Sequence, residues 1–149
     1  MLRPRLLIVE DDVAFRMLLR TALSIEGFDV EVARNGYEAL QRIDRNPPQV
    51  VLLDLGLPDV DGITVLADLA ARPDTRRIPV VVVTGRSDPL DDLDARSILR
   101  KPVSPEAVVS VARACLANRT AVPARRANSA DLQLLRHPEP RRARDVPGA

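Results

Sequence analysis

A short apolar run that ends on an acid constrains this chain more than any other stretch. Val50 to Leu53 are four apolar residues between a proline pair and Asp54, a pattern typical of a strand buried on both faces of a sheet. The chain then turns through Gly56 and Pro58, and a helical pattern follows Gly62. A carboxylate at the carboxyl end of such a strand faces the crevice where open α/β sheets bind ligands. A single acid there more often only solvates the strand end, so a functional interpretation depends on the other strands.

Strand and helix patterns alternate along the rest of the chain. Apolar runs that predict strands cover residues 6–9, 28–33, 50–53, 80–83 and 98–99. Helical patterns cover residues 13–25, 37–45, 63–71 and 105–117, and the apolar face of the first helix is expected to hold Val13, Met17, Leu18, Ala22 and Ile25. Asp12 is the expected N-cap of that helix. Strands that alternate with helices predict a parallel α/β sheet with right-handed crossovers and helices on both faces.

Composition excludes several kinds of chemistry. The only histidine, His137, lies near the C-terminus, so a Ser-His-Asp or Cys-His site in the body of the chain is excluded. The single cysteine, Cys115, permits no internal disulfide and favours a cytoplasmic location. The sequence has no zinc-binding cluster and no glycine-rich nucleotide loop, and its three aromatic residues are too few for a base-stacking platform. No apolar run is long enough for a signal peptide or a membrane span.

Charge divides the chain into two regions. Residues 118–149 hold seven arginines and three acids, a net charge of +4, and the whole chain carries +1, so residues 1–117 carry −3. The composition of 118–149, rich in arginine, proline and alanine, predicts a disordered basic tail after a single domain at 1–117. Its one apolar cluster is Leu132, Leu134 and Leu135. The tail is too short for a DNA-binding domain, so we do not expect a transcription factor or nucleic acid as the main partner; a basic segment that contacts nucleic acid is the alternative.

Polar residues stand at or just after four of the predicted strands: Glu10, Asp11, Asp54, Thr84 and Lys101. The carboxyl ends of parallel strands meet at one edge, so these side chains are expected to lie together. Carboxylates that crowd together raise one another's pKa, and a hard divalent cation such as Mg²⁺ relieves that conflict through oxygen ligands. A hydroxyl and the chain's only lysine are the groups needed to hold a phosphoryl group on the carboxylate, and a compact ammonium binds phosphate as a point charge.

Four motifs carry a resemblance to a known family. The stretches I-V-E-D-D, D-L-G-L-P-D-V-D-G, V-V-V-T-G and R-K-P occur in this order within residues 3–117 and resemble the receiver domain of two-component response regulators. The resemblance implies a flavodoxin-like (βα)5 fold. It implies that Asp54 is the phosphoacceptor and that Mg²⁺ binds directly to Asp11 and Asp54. Glu10 would act on the metal through water, and the carbonyl of Gly56 would complete the protein ligands.

The same resemblance assigns the groups around the phosphoryl group. Thr84 and the backbone N–H of Gly85 would bind phosphoryl oxygens. Lys101 would pair with the phosphoryl group, oriented by a cis bond to the proline after it. Positions that tune dephosphorylation in the family fall on Gly56 and Arg86.

Two departures from the family concern the output surface. Ile98 stands where the family usually has a switch aromatic, and the stretch from Thr84 to Lys101 is shorter than usual by more than a helical turn. The fourth helix is therefore expected to be short or irregular, covering Leu90 to Ala95 with a cap at Asp88-Pro89, and Asp91, Asp92 and Asp94 are expected to solvate it. Apolar surface near Val82 and Ile98 would then need a cover. The candidates are the leucines of the tail, a partner, a second copy of the chain in a homodimer, or a repacked loop.

Three functions compete. The first is a stand-alone receiver that takes a phosphoryl group from a sensor histidine kinase or a histidine phosphotransfer protein, signals through protein contacts and is not a metabolic enzyme. The second is a receiver-like scaffold that does not depend on phosphorylation. The third, a phosphatase-like enzyme with Asp54 as nucleophile, is disfavoured because many such enzymes carry a second acid two residues later, where this chain has Gly56.

Overall fold

Five strands and four helices alternate in the computed structural model, which describes residues 2–87 and 89–118. The elements are β1 Arg5–Val9, α1 Val13–Ile25, β2 Asp29–Ala33, α2 Gly36–Arg45, β3 Val50–Leu53, α3 Gly62–Ala71, β4 Val80–Thr84, β5 Ser97–Arg100 and α4 Pro105–Ala117. The leucine cluster predicted for the tail lies outside the described residues.

The five strands form one parallel sheet in the order β2-β1-β3-β4-β5. This is the flavodoxin-like order, and it confirms the predicted (βα)5 sheet. The order changes direction between β1 and β3, so the crevice at the carboxyl ends of these two strands is the place where such sheets bind ligands.

Helices cover both faces of the sheet, as alternating side chains on a strand require. One core cluster lies under α1 and α4, with strand residues Leu6, Ile8, Val50, Leu52, Val81 and Val83. The other lies under α2 and α3, with strand residues Leu7, Val9, Val51, Leu53, Val80 and Val82. The three central strands therefore bury both faces, which explains why their sequences are continuous apolar runs.

The first helix has the predicted bounds, but its expected apolar face is wrong. Val13, Met17, Leu18 and Ile25 are exposed, whereas Leu19 and Leu23 are buried and Phe15 packs against the same core. Residues 15, 19 and 23 follow the spacing of a helical face equally well, and this second stripe packs in the core cluster under α1 and α4.

Polar side chains and a glycine shape several helix ends. Asn35 accepts a hydrogen bond from the N–H of Glu38 at 2.8 Å, and Ser104 accepts one from the N–H of Ala107 at 3.1 Å. Gly27 follows α1 with φ of +102°, a conformation that favours glycine. Asp12 stands at the N-cap position of α1 as expected, but its side chain makes no capping hydrogen bond.

The connection between β4 and β5 differs from the expectation. Among its described residues, 85–87 and 89–96, none is helical, and a turn at Asp91 and Asp92 is the only regular feature, so the helix expected at Leu90 to Ala95 is wrong. These acids therefore do not solvate a helix face. The connection has to cross back over the length of the sheet, and a helix advances only about 1.5 Å per residue. An extended path makes the crossing with fewer residues.

This connection also covers the sheet. Leu90 is 5% exposed and packs in the cluster under α2 and α3, with Leu93 and Ala95 against its margin. Val82 is completely buried and Ile98 is half-buried, so the expectation of uncovered surface at Val82 is wrong. The alternative of a repacked loop is the one that these contacts support.

Candidate functional site

The predicted site residues meet at the carboxyl edge of the sheet. The chain orders them as Glu10 after β1, Asp54 after β3, Thr84 at the end of β4 and Lys101 after β5. Backbone hydrogen bonds continue the sheet to these positions: the N–H of Asp54 donates to the carbonyl of Val9 at 3.0 Å, and the N–H of Lys101 donates to that of Thr84 at 2.8 Å. The site therefore rests on rigid strand ends.

Three carboxylates form a group that fits a divalent cation. Ligand oxygens of Glu10, Asp11 and Asp54 all lie within 4.8 Å of one another. Glu10 is 2% exposed and Asp54 is 7% exposed, whereas Asp11 is open to solvent. Oxygen-only ligands suit Mg²⁺ better than softer metals. The donor set thus fits the predicted cation, with one ligand accessible from outside.

The ammonium of Lys101 lies between two of these acids. Its Nζ is 3.0 Å from Oε1 of Glu10 and 3.7 Å from Oδ2 of Asp54. Burial raises the pKa of Glu10, the hydrogen bond from Lys101 opposes that rise, and the charge of Asp54 adds to it. The N–H of Asp12 also donates to Glu10, at 3.1 Å. One ammonium faces two buried carboxylates, so the site has an excess of negative charge.

Thr84 brings a hydroxyl into the same buried edge. Its side chain is fully buried, and its oxygen accepts a hydrogen bond from the N–H of Arg86 at 3.1 Å. A hydroxyl can donate and accept at once. The hydroxyl of Thr84 can therefore also donate a hydrogen bond to an oxygen atom of a group bound at the end of the neighbouring strand β3.

The turn after β3 is held tightly against the site. The N–H of Gly56 donates to Oδ1 of Asp54 at 3.3 Å. A Cβ at Gly62 would overlap the carbonyl oxygen of Asp54 and lie 2.5 Å from Cα of Leu55, a distance that real Cβ atoms do not show. Only glycine lets the start of α3 pack this closely on the end of β3. Gly56 itself has open space where a Cβ would be.

An ion pair joins the two loops beside the site. Nη1 of Arg86 is 3.6 Å from Oδ1 of Asp61, which lies at the N-cap position of α3. The carbonyl of Arg86 also accepts a hydrogen bond from Arg100. Arg86 and Gly56, the two positions that the resemblance connects with dephosphorylation, thus belong to the two loops that flank Asp54.

The peptide bond between Lys101 and Pro102 is cis, as the resemblance implied.

Two residues of α1 that the sequence did not point to contact the site. Nη1 of Arg16 donates to the carbonyl of Glu10 at 2.9 Å and to that of Asp11 at 3.4 Å. The ring centroid of Phe15 is 4.7 Å from Nζ of Lys101. The apolar stripe at 15, 19 and 23 was the available signal for Phe15. The contact between Phe15 and Lys101 joins residues 86 positions apart, so no local sequence pattern predicts it.

Comparisons with known proteins agree with this geometry. Residues 6–113 match the family described as the response regulator receiver domain. The transcriptional regulatory protein CpxR homolog of Haemophilus influenzae is 34% identical over 133 residues, which cover 86% of this chain and 56% of that protein. Response regulator MprA of a Mycobacterium species is 39% identical over 117 residues, covering 75% and 50%. The chain thus spans about half the length of these curated relatives.

One of the similar solved structures matches this chain along nearly its whole length. A putative response regulator from Chloroflexus aurantiacus superposes with a TM-score of 0.73 and 31% identity, over 78% of this chain and 99% of that one. Within residues 2–87 and 89–118, no helix is long and apolar enough to cross a membrane.

Proposed function

The chain belongs to the response regulator receiver domain family, a family of signalling domains, and from that premise we propose that it accepts a phosphoryl group on Asp54 in a Mg²⁺-dependent reaction. One observation carries the proposal. The buried carboxylate of Asp54 lies among Glu10, Asp11 and the ammonium of Lys101, with the hydroxyl-bearing Thr84 at the next strand end.

The chemistry follows from the groups around Asp54. A carboxylate oxygen attacks the phosphorus of the donor, a new P–O bond forms, and the bond from phosphorus to the donor breaks with its electron pair leaving on the donor. The product is a mixed anhydride of phosphate and carboxylate. The ammonium of Lys101 and the hydroxyl of Thr84 stabilise negative charge on the transferred oxygens.

The acids supply the proposed metal ligands. Asp11, Asp54 and the carbonyl of Gly56 would hold Mg²⁺ directly, with Glu10 acting through water. When bound, the cation supplies positive charge that offsets both the acids and the phosphoryl oxygens. Arg16 fixes the loop that carries two of these acids, because it binds the carbonyls of Glu10 and Asp11.

The proposed phosphoryl donors are a sensor histidine kinase or a histidine phosphotransfer protein, and the proposed output is a protein contact. Stand-alone action remains a prediction, since the relatives from Haemophilus influenzae and Mycobacterium are about twice as long as the aligned region. The connection between β4 and β5, which has no helix among its described residues 85–87 and 89–96, changes a surface that the family commonly uses to signal. That difference keeps the scaffold alternative open to test.

The test uses the full chain with acetyl phosphate and intact mass. We expect the mass of one phosphoryl group to be added with Mg²⁺ present and nothing to be added in excess EDTA. Asp54→Asn is the matched variant, because it removes the nucleophilic carboxylate with little change in shape, and it should remain unlabelled. Labelling in EDTA would refute the metal dependence, and an unlabelled wild type would favour the scaffold.

A further inference from the structure

An aromatic ring contacts the ammonium of Lys101 in addition to the two acids. The ring centroid of Phe15 lies 4.7 Å from Nζ. The face of an aromatic ring carries negative electrostatic potential and attracts a cation within about 6 Å of its centroid. None of the roles proposed above uses this ring.

The ring stands on a rigid support. Phe15 is the third residue of α1, and long side chains on a helix lean toward its N-terminus, which here is the end next to β1 and the acids. Phe15 is half-buried and packs against the core cluster under α1 and α4. Its position is therefore set by the helix and the core, and not by a loop.

The side chain of Lys101, in contrast, spans a long distance to Asp54. It follows β5, and β4 lies between β5 and β3 in the sheet. Neighbouring strands are about 4.8 Å apart, so its side chain crosses the end of one strand before it meets Asp54. A flexible side chain held in an extended form loses conformational freedom. The groups that contact the ammonium therefore determine its average position.

The charges alone do not favour Asp54. Nζ is 3.0 Å from Oε1 of Glu10 and 3.7 Å from Oδ2 of Asp54, so the ammonium lies closer to Glu10 than to the proposed phosphoacceptor. A further carboxylate would hold the ammonium but would also compete with phosphoryl oxygens for its charge. A neutral ring face restrains the ammonium without that competition.

We propose that Phe15 is a positioning residue, whose ring face keeps the ammonium of Lys101 at the phosphoryl-accepting edge. The role rests on the proposed function of Asp54. When phosphoryl oxygens arrive on Asp54, the ammonium shifts from Glu10 toward them and stays over the ring. The ring thus reduces the number of conformations that the side chain of Lys101 samples before each phosphoryl transfer.

The contact can be measured without any phosphorylation. Lys101 is the only lysine in the chain, so selective ¹³C-lysine labelling gives a single CεH2 resonance. Protons above a ring face are shifted upfield by the ring current. We expect this shift in the wild type and in Phe15→Tyr, and its loss in Phe15→Leu. Phe28→Leu is the matched control, because Phe28 is buried in the same core cluster at the other end of α1, and it should keep the shift.

The second measurement is the labelling rate with acetyl phosphate and saturating Mg²⁺. Phe15→Leu should slow labelling by about three- to ten-fold, the scale of a cation–π contact, and Phe15→Tyr should restore it. In a Lys101→Gln background, Phe15→Leu should cause no further loss, because the ring acts through the lysine.

Several results would overturn the proposal. They are an unshifted lysine resonance in the wild type, an undiminished rate in Phe15→Leu, an equal loss in Phe28→Leu, and a further loss in the Lys101→Gln background. A wild type that acetyl phosphate does not label removes the proposed function of Asp54, and the role of the ring with it. An unshifted resonance in a wild type that is labelled overturns the ring contact alone.

Discussion

At the scale of single residues, the site holds more negative charge than its lysine can neutralise. Glu10 and Asp54 are both buried beside Lys101, and Asp11 adds a third carboxylate. Burial raises the pKa of Glu10 above its ordinary value of 4.5, so the folded protein binds that proton more tightly than the unfolded chain does. The Glu10 contribution therefore lowers the free energy of unfolding as the pH rises above about 4.5, until the carboxyl is fully ionised in the folded state.

We predict that Glu10→Gln stabilises the protein in EDTA at neutral pH, because the amide keeps an acceptor for the N–H of Asp12 without the buried charge. The gain should shrink as the pH falls through the raised pKa of Glu10 in the folded protein, and it should be smallest below about 4.5, where Glu10 becomes protonated in the unfolded chain as well. Urea unfolding at several pH values measures this difference. The same variant should be labelled more slowly by acetyl phosphate. A variant that is less stable than the wild type at neutral pH would show that the contact with Lys101 outweighs burial.

At the scale of elements, the packing of α3 on the end of β3 sets the position of the nucleophile. Gly62 is the first residue of α3, and the backbone of Asp54 and Leu55 fills the place of its Cβ. The D-G pair that closes the second motif, D-L-G-L-P-D-V-D-G, is therefore a packing requirement as well as a helix start.

Gly62→Ala should lower the free energy of unfolding by about 1–3 kcal/mol, the cost of an added methyl in a closed space, and should slow the labelling of Asp54. Gly56→Ala is the matched control: its Cβ meets nothing within 4 Å, so stability should change by less than about 0.5 kcal/mol. Urea unfolding and intact mass report the two effects. Equal behaviour of the two variants would contradict the packing account.

In the described part of the connection between β4 and β5, Leu90 is the residue buried over the sheet where a helix was expected. Leu90→Ala should lower the free energy of unfolding by about 2–4 kcal/mol and raise the binding of a hydrophobic dye, because Leu90 is 5% exposed over the sheet. Leu18→Ala, at a site 49% exposed, should change stability by less than about 0.5 kcal/mol. If Leu90→Ala is as harmless as Leu18→Ala, another segment covers this face.

At the scale of the whole molecule, the sequence predicted the sheet and the edge where the candidate site residues meet. The central strands are continuous apolar runs, and polar residues follow β1, β3 and the edge strand β5. The parallel topology brings these residues, Glu10, Asp54 and Lys101, together. Two features were beyond the sequence pattern. The sequence of α1 allows two different apolar faces, and only the packing against the sheet shows that the face with Leu19 and Leu23 is the buried one. The connection between β4 and β5 has no hydrophobic periodicity from which its path could be predicted.

The proposed chemistry depends on one bond, between phosphorus and the carboxylate of Asp54. Borohydride reduces an acyl phosphate to an alcohol, so it converts a phosphorylated aspartate into homoserine, which peptide mass spectrometry locates. After incubation with acetyl phosphate and Mg²⁺, we predict homoserine at position 54 and unmodified Asp11 and Glu10. Homoserine at position 11, or none at position 54 in a chain that has gained phosphoryl mass, would contradict the account.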